Sequence, residues 1–269
     1  MQGKSLWIFL LGVQLHFAIN QYNNLVRKGG SIMRSQLYLW GPLKQRYIDD
    51  LTLIKTMFVE RIQPVFANAE SEAEEYQNEL WESIMNRPCT EDDYVDPSDY
   101  VDFVQEKAVE RYDMLSLMRY RNIGMWLACL CQVWEQQLYS FVIHEAEQEG
   151  LKYDPFDIKR GFAFSKDVFE WHQQPFEKLD SWGKIKELRL LVNVIKHAEG
   201  DSEQKLRKLR PDYFTQDICG TEYDLMSLYH TTLLEPTLMI QEQDFIDYFN
   251  ALIKFWEDLP ERMYTMDEL

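Results

Sequence analysis

Apolar residues recur at helical spacing in the first part of the chain. Between residues 41 and 86, Leu51, Ile54 and Phe58 follow one another at intervals of three and four residues, which places them on one face of a helix. Pro64 lies within this segment and has no backbone N–H to donate. The pattern therefore predicts a long helical segment that is kinked or split at Pro64.

The longest helical pattern runs from about residue 98 to residue 149. Pro97 is a suitable helix start and Gly150 a suitable stop. The second half of this segment, "NIGMWLACLCQVWEQQLYSFVIHEAEQEG", is apolar on most of its circumference and predicts the central core helix. An acidic stretch, 88–102, precedes it as a turn-rich connector, and 151–165 follows as a loop.

The remaining pattern predicts short helices and no strands. They are expected near residues 166–173, 178–198, 201–209, 221–232 and 241–257. Neither a strand-like alternation nor a repeat of 20 to 50 residues stands out. We therefore predict an all-α fold, a helical bundle with peripheral helices.

The N-terminal segment has a different character. Residues 5–19 are apolar, like the core of a signal peptide, but they are too short and too polar at Gln14 and His16 to span a bilayer. Our hypothesis is that residues 1–32 are a translated leader, that synthesis naturally starts at Met33, and that 33–269 form one domain. A secreted or membrane-attached protein is the alternative.

The net charge of the chain limits the classes of function that fit the sequence. The net charge of −17 repels polyanions over most of the surface, so a general nucleic-acid binder is excluded and any RNA contact must be local. Between residues 184 and 210, however, eight basic residues face only four acidic ones. This segment is either a local nucleic-acid contact or a solvated helix surface that balances acids elsewhere.

No cofactor or metal is expected from the sequence. The four cysteines are scattered, and Cys129 and Cys131, in "CLC", lack the spacing of a zinc or redox site; we expect buried free thiols in a reducing cytoplasm. His144 has no second histidine four residues on, as a helical zinc site requires. His172 and His230, each beside an aromatic residue, are interpreted as half-buried packing residues.

One helix carries the candidate chemistry. In "LRLLVNVIKHAEG", Arg189, Asn193, Lys196 and His197 share an arc of about 100° on a helical wheel, and apolar residues fill the opposite side. An imidazole can move a proton, while arginine and lysine can hold a phosphate. Together they suit metal-independent RNA cleavage, in which the 2′-hydroxyl attacks the neighbouring phosphodiester. The simpler alternative is the solvated face of an amphipathic helix.

The stretch "LRLLVNVIKHAEGDSEQKLRKLRPDYF", with the upstream "MWLACLCQVWEQQLYSF", resembles the HEPN superfamily (higher eukaryotes and prokaryotes nucleotide-binding), closest to bacterial members with an Asn-x-x-Lys-His motif. The resemblance covers roughly residues 104–210. It implies a helical bundle, a homodimer and a cytoplasmic endoribonuclease of a toxin or phage-defence system, with an antitoxin or defence protein as partner and no membrane association.

The resemblance also implies roles for individual residues. His197 carries over as the catalytic residue, with Arg189 beside it and Asn193 in the polar role. Lys196 is expected from its positive charge to bind the substrate phosphate. The spacing from Arg189 to His197 is longer than is usual in that superfamily, and Leu190 replaces the usual polar residue. A HEPN-like module that binds RNA or a protein partner without cleaving RNA is therefore the alternative.

Four further residues complete the expected site. Glu135 is a carboxylate in an apolar helix, where an unpaired charge is costly, so we expect it to pair with Arg189 or His197. A salt bridge elsewhere, at the edge of its helix, is the alternative. The other three are cations of the basic segment that we expect to bind substrate: Lys205, Arg207 and Lys208.

Overall fold

The computed structural model describes residues 35–87, 96, 98–149 and 153–265, and most of them are helical. The helices are α1 (Gly41–Met57), α2 (Ala69–Met85), α3 (Ser98–Gln148), α4 (Pro155–Ile158), α5 (Phe162–Trp171), α6 (Trp182–His197), α7 (Asp201–Leu209), α8 (Leu225–Tyr229) and α9 (Glu242–Asp258). The expected all-α class is confirmed at this level. The leader hypothesis for residues 1–32, the Met33 start and Cys89 lie outside the described residues.

The predicted break at Pro64 is present. After α1 the chain passes through a π-helical turn, Phe58–Ile62, and a 3-10 turn, Gln63–Phe66, before α2 begins. Because proline lacks the N–H that an α-helix needs at this position, the hydrogen-bond pattern changes around Pro64 and the α-helix does not continue through it.

The described residues also form four strands of three residues each, which were not predicted. β1 (Gln36–Tyr38) pairs with β4 (Arg262–Tyr264), and β2 (Gln216–Ile218) pairs with β3 (Thr221–Tyr223), both antiparallel. The second pair turns at Cys219 and Gly220, both with positive φ, which is the geometry of a tight hairpin turn. Three residues are too few to show an alternating pattern, so the sequence carried no clear signal for these strands.

The chain divides into two compact units. Among the described residues, the first comprises 35–44, 135–149, 153–179 and 258–265, and the second comprises 45–87, 96, 98–134 and 180–257. The expectation of one domain over 33–269 stays a prediction.

The first unit has an aromatic core with an N-terminal strand fastened by carboxylates. Phe169 packs on Phe141 and on Phe176, with ring centroids 5.9 and 5.1 Å apart. The backbone N–H of Tyr38 on β1 donates to the carboxylate of Glu145, 2.7 Å away. Burial raises the pKa of Glu145, while the hydrogen bond from Tyr38 opposes that shift.

The second unit is built around buried aromatic side chains of α3 and α9. Trp134 meets Phe255 edge-on at 5.1 Å, and Phe58 packs on Phe245 at 4.3 Å. The Trp134 side chain is fully buried. Burial along α3 is nevertheless confined to one side, because Met125 and Cys129 are exposed. The expectation of a buried Cys129 thiol was therefore wrong, whereas Cys131 is buried.

Within the described residues, we find no helix with both the length and the apolar character needed to cross a membrane.

Candidate nucleic-acid interface

Helix α6 separates its apolar and polar residues as the sequence predicts. The buried side chains are Ile185, Leu188, Leu191, Val192, Val194 and Ile195. On the other side Asn193, Lys196 and His197 are exposed, and Arg189 is half-buried. Burial of one face anchors the helix to the core, so the polar side chains are held on a surface of defined orientation. We call Arg189, Asn193, Lys196 and His197 the polar stripe.

The polar stripe ends where the chain turns sharply into α7. His197 is the last residue of α6, Ala198 follows at φ 59°, and Gly200 has φ 141°. Helix α7 begins at Asp201, as predicted, and packs against α6. The Asn193 amide lies 3.4 Å from the hydroxyl of Ser202, which links the stripe to the first turn of α7.

A side chain from a distant segment closes the end of α6. The buried hydroxyl of Thr232 donates to the carbonyl oxygen of Ile195 at 2.7 Å. This carbonyl belongs to the last turn of α6, where intrahelical partners run out. Lys196 and His197 lie at the same end, where the helix dipole favours positive charge.

No described residue covers the His197 side chain. It is exposed, and within the described ranges the structure gives it no hydrogen-bond or ion-pair partner. Both ring nitrogens are therefore available to an incoming ligand. Glu135, which we expected to pair with Arg189 or His197, is half-buried on α3, and that pairing stays a prediction.

The three predicted substrate-binding residues of α7 differ in their surroundings. Lys205 and Lys208 are exposed. Among the described residues, neither lysine has an ion-pair partner. Arg207 differs. Its guanidinium pairs with Glu203 and with Asp224, the latter at 2.5 Å, and stacks on the Phe214 ring at 4.1 Å. The Arg207 guanidinium is thus already paired with two carboxylates and fastens α7 to the segment before α8, so its expected role in substrate binding stays a prediction.

The second unit also holds a polar network that sequence reasoning missed. The Tyr213 hydroxyl donates to Asp244 at 2.6 Å and lies 2.9 Å from the Tyr248 hydroxyl, which donates to Glu187 at 2.7 Å. Arg210 donates to Glu187 at 2.7 Å. These residues come from α6, the segment after α7 and α9, which the network joins. They are up to 61 positions apart, so no local motif could reveal them.

The network keeps its carboxylate ionised. Burial alone would raise the pKa of Glu187, but hydrogen bonds from Lys184, Tyr248 and Arg210 outweigh burial and lower it. Burial likewise raises the pKa of both Tyr213 and Tyr248, which keeps their hydroxyls protonated as donors. Because every one of these polar groups has a partner, we interpret the network as structural support for α6.

Two histidines that we interpreted as half-buried packing residues have other positions. His172 is fully buried, and its Nδ1 lies 2.7 Å from the carbonyl oxygen of Val168. His230 is exposed, and its Nδ1 lies 2.6 Å from the Glu199 carboxylate. The earlier interpretation was wrong for His230, because the residues beside it in sequence are not those that surround it in the fold.

In the part of the chain that the structure describes, no cluster of three or more His, Cys, Asp or Glu side chains is arranged to hold a metal ion.

Comparisons with protein-family models, with curated proteins and with solved structures find no significant match to this chain.

Proposed function

We propose that this protein is a metal-independent endoribonuclease whose site is the polar stripe of α6. The observation that carries the proposal is the exposed His197 at the end of α6, with exposed Asn193 and Lys196 on the same face and the opposite face of the helix buried. Lys205 and Lys208 on α7 extend the positive surface. The sequence resemblance to HEPN proteins supports the same assignment.

The reaction needs proton transfer and charge stabilisation. A base removes the proton from a ribose 2′-hydroxyl, and the 2′-oxygen then attacks the adjacent phosphorus. The bond from phosphorus to the 5′-oxygen breaks, that oxygen takes up a proton, and a 2′,3′-cyclic phosphate remains. His197 is the proton-transfer group in this proposal. Arg189 and Lys196 hold the phosphate, and Asn193 orients the ribose.

The biological setting is part of the same proposal. A HEPN-like bundle, a homodimer that brings two polar stripes together, a cytoplasmic location and a toxin or phage-defence role are supported by the resemblance. An antitoxin or another defence protein would restrain the activity. A two-fold arrangement is attractive because an isologous interface supplies each catalytic group twice.

The test compares the wild type with His197→Ala on defined RNA transcripts. We expect the wild type to leave 2′,3′-cyclic phosphate ends in the presence of EDTA, and His197→Ala to reduce cleavage at least about 100-fold, the usual contribution of general acid–base catalysis. His144→Ala, which changes another exposed histidine, is the matched control and should cleave normally. Cleavage by His197→Ala at the wild-type rate would refute the assignment.

A specific observation favours a second candidate, an RNA- or partner-binding module without catalysis. Catalytic imidazoles are normally oriented by a third group, and among the described residues no side chain holds the ring of His197. The binding module predicts that RNA is retained by the wild type in a filter-binding assay and that its ends stay intact.

A further inference from the structure

The exposed pair His230–Glu199 has the geometry of an oriented proton-transfer group. The Nδ1 atom of His230 lies 2.6 Å from the carboxylate of Glu199, and the two side chains are 65% and 55% exposed. A carboxylate on Nδ1 fixes the ring and its tautomer, so Nε2 is the nitrogen left for a substrate. His197, by contrast, has an exposed ring with no described partner.

This pair lies next to the polar stripe. Glu199 follows His197 by two residues, so their Cα atoms are at most roughly 7.6 Å apart. On the other side of the pair, Thr232 donates to the carbonyl of Ile195 in the last turn of α6. Two separate contacts therefore hold the segment that carries His230 against the end of α6.

The segment itself is well defined. The hydroxyl of Thr237 donates to the carbonyl of Thr231 at 2.6 Å, and the backbone N–H of His230 donates to Met226 in α8 at 3.0 Å. His230 has φ 55° and ψ 25°, a left-handed conformation that only some residues adopt readily. The imidazole is thus presented from a fixed backbone position.

We infer that His230 is the second proton-transfer residue of the proposed ribonuclease site and that Glu199 positions it. The inference rests on the proposed function. His197 accepts the proton of the 2′-hydroxyl as the bond from O2′ to phosphorus forms. His230, protonated and paired with Glu199, donates the proton on Nε2 to O5′ as the bond from phosphorus to O5′ breaks.

The division of roles follows from the partners of each ring. The pair with Glu199 is an ion pair only when His230 carries its second proton, which suits His230 to the role of acid. His197 is exposed on the polar stripe beside this pair and is then the group left to act as base. One chain would then contain both proton-transfer groups of the reaction.

The variants are chosen to preserve the backbone. His230→Asn keeps a residue that tolerates a left-handed conformation and removes the acid. Glu199→Gln removes the charge of the positioning residue, and Glu199→Asp restores it. His144→Asn is the control, since His144 is also exposed and bonded to a neighbouring side chain, Gln148, at 2.8 Å. Far-ultraviolet circular dichroism and a urea midpoint confirm that each variant is folded.

The experiment uses two RNA substrates that differ in one atom. In the second, a sulfur replaces the bridging 5′-oxygen, and a thiolate leaves without needing a proton. We expect His230→Asn to cleave the ordinary RNA at least about 100-fold more slowly than the wild type does and to come within about tenfold of it on the sulfur substrate. His197→Ala, which lacks the base, should be slow on both substrates. Glu199→Gln should show the same pattern as His230→Asn, with a smaller loss of rate on the ordinary RNA. Glu199→Asp should recover the rate that Glu199→Gln loses.

The other outcomes separate the two proposals. Wild-type rates for His230→Asn on both substrates, or an equal loss on both, would overturn the role of His230 as acid and leave the endoribonuclease proposal intact. Failure of the wild type to cleave either substrate would overturn the endoribonuclease proposal and this inference with it.

Discussion

The guanidinium of Arg207 shows why a count of charges along the sequence misjudges a surface. Arg207, Lys205 and Lys208 are neighbours on α7, yet only the two lysines are exposed without a described ion-pair partner. Arg207 is held between Glu203, one turn earlier, and Asp224, from a segment 17 residues later. The pairing with Glu203 has helical spacing and could have been anticipated. The contact with Asp224 could not have been anticipated, because it depends on the tertiary fold that brings the segment before α8 next to α7.

Replacing Arg207 by alanine should therefore cost stability. We expect Arg207→Ala to lower the free energy of unfolding by about 1–2 kcal/mol, since it removes charge-assisted hydrogen bonds that are only partly exposed. Lys208→Ala, on the same helix, should change it by less than about 0.5 kcal/mol. Urea titrations of both variants measure the difference. Equal midpoints for the two would contradict the assignment of Arg207 to structure.

A second residue-scale prediction concerns pH. Burial lowers the pKa of His172 below its ordinary value of 6.5, although the hydrogen bond to Val168 and the charge of Glu149 oppose the shift. The unfolded chain therefore binds a proton at this histidine more readily than the folded chain does. The free energy of unfolding consequently falls as the pH drops below about 6.5. Urea midpoints between pH 7.5 and 5.5 should fall more steeply for the wild type than for His172→Gln. An equal fall of the urea midpoint with pH in the two proteins would contradict a neutral, buried His172. The raised pKa of Glu145 is common to both proteins and cancels in this comparison.

At the scale of elements, most helices could be predicted because each has enough residues to show its period. The split at Pro64, the extent of α3 and the boundary between α6 and α7 were all visible as proline, glycine and apolar spacing. The division of α6 into a buried face and the polar stripe was also visible, since it depends only on the helical repeat. The His230–Glu199 pair was hidden, because it requires residues 31 positions apart to meet.

The junction between α6 and α7 depends on one glycine. Gly200 has φ 141° and ψ −163°, a region that side chains with a Cβ essentially do not occupy. A Cβ added there would meet no atom within 4 Å, so any cost comes from the backbone alone. We expect Gly200→Ala to destabilise the protein by about 1–3 kcal/mol in urea.

Gly183 provides the matched control for Gly200. It is the second residue of α6 and has a helical backbone and equally open surroundings. Gly183→Ala should therefore stabilise the protein by about 0.5–1 kcal/mol, because alanine loses less entropy in a helix. Opposite signs for the two changes would confirm that Gly200 sets the junction, and a neutral Gly200→Ala would refute it.

At the scale of the molecule, the charge distribution makes any RNA contact local. A net charge of −17 repels RNA at long range, so binding must come from a short-range surface where cations outnumber acids. The polar stripe with Lys205 and Lys208 is the surface we propose. Added salt screens both the long-range repulsion and the local attraction, so a single affinity does not distinguish the two effects. The slope of log affinity against log salt does, because it reports how many phosphates the protein contacts.

The double variant Lys205→Ala with Lys208→Ala tests whether RNA contacts this surface. In a His197→Ala background, which keeps the RNA intact, the double variant should bind single-stranded RNA more weakly, and its slope of log affinity against log salt should be shallower by about 1.4, or about 0.7 for each lost phosphate contact. Fluorescence anisotropy at several salt concentrations measures it. The matched control is Lys159→Ala with Lys178→Ala, two exposed lysines outside α6 and α7, which should leave the slope unchanged. If the control pair lowers the slope as much as the α7 pair does, RNA binds diffusely and the surface of α6 and α7 is not its site.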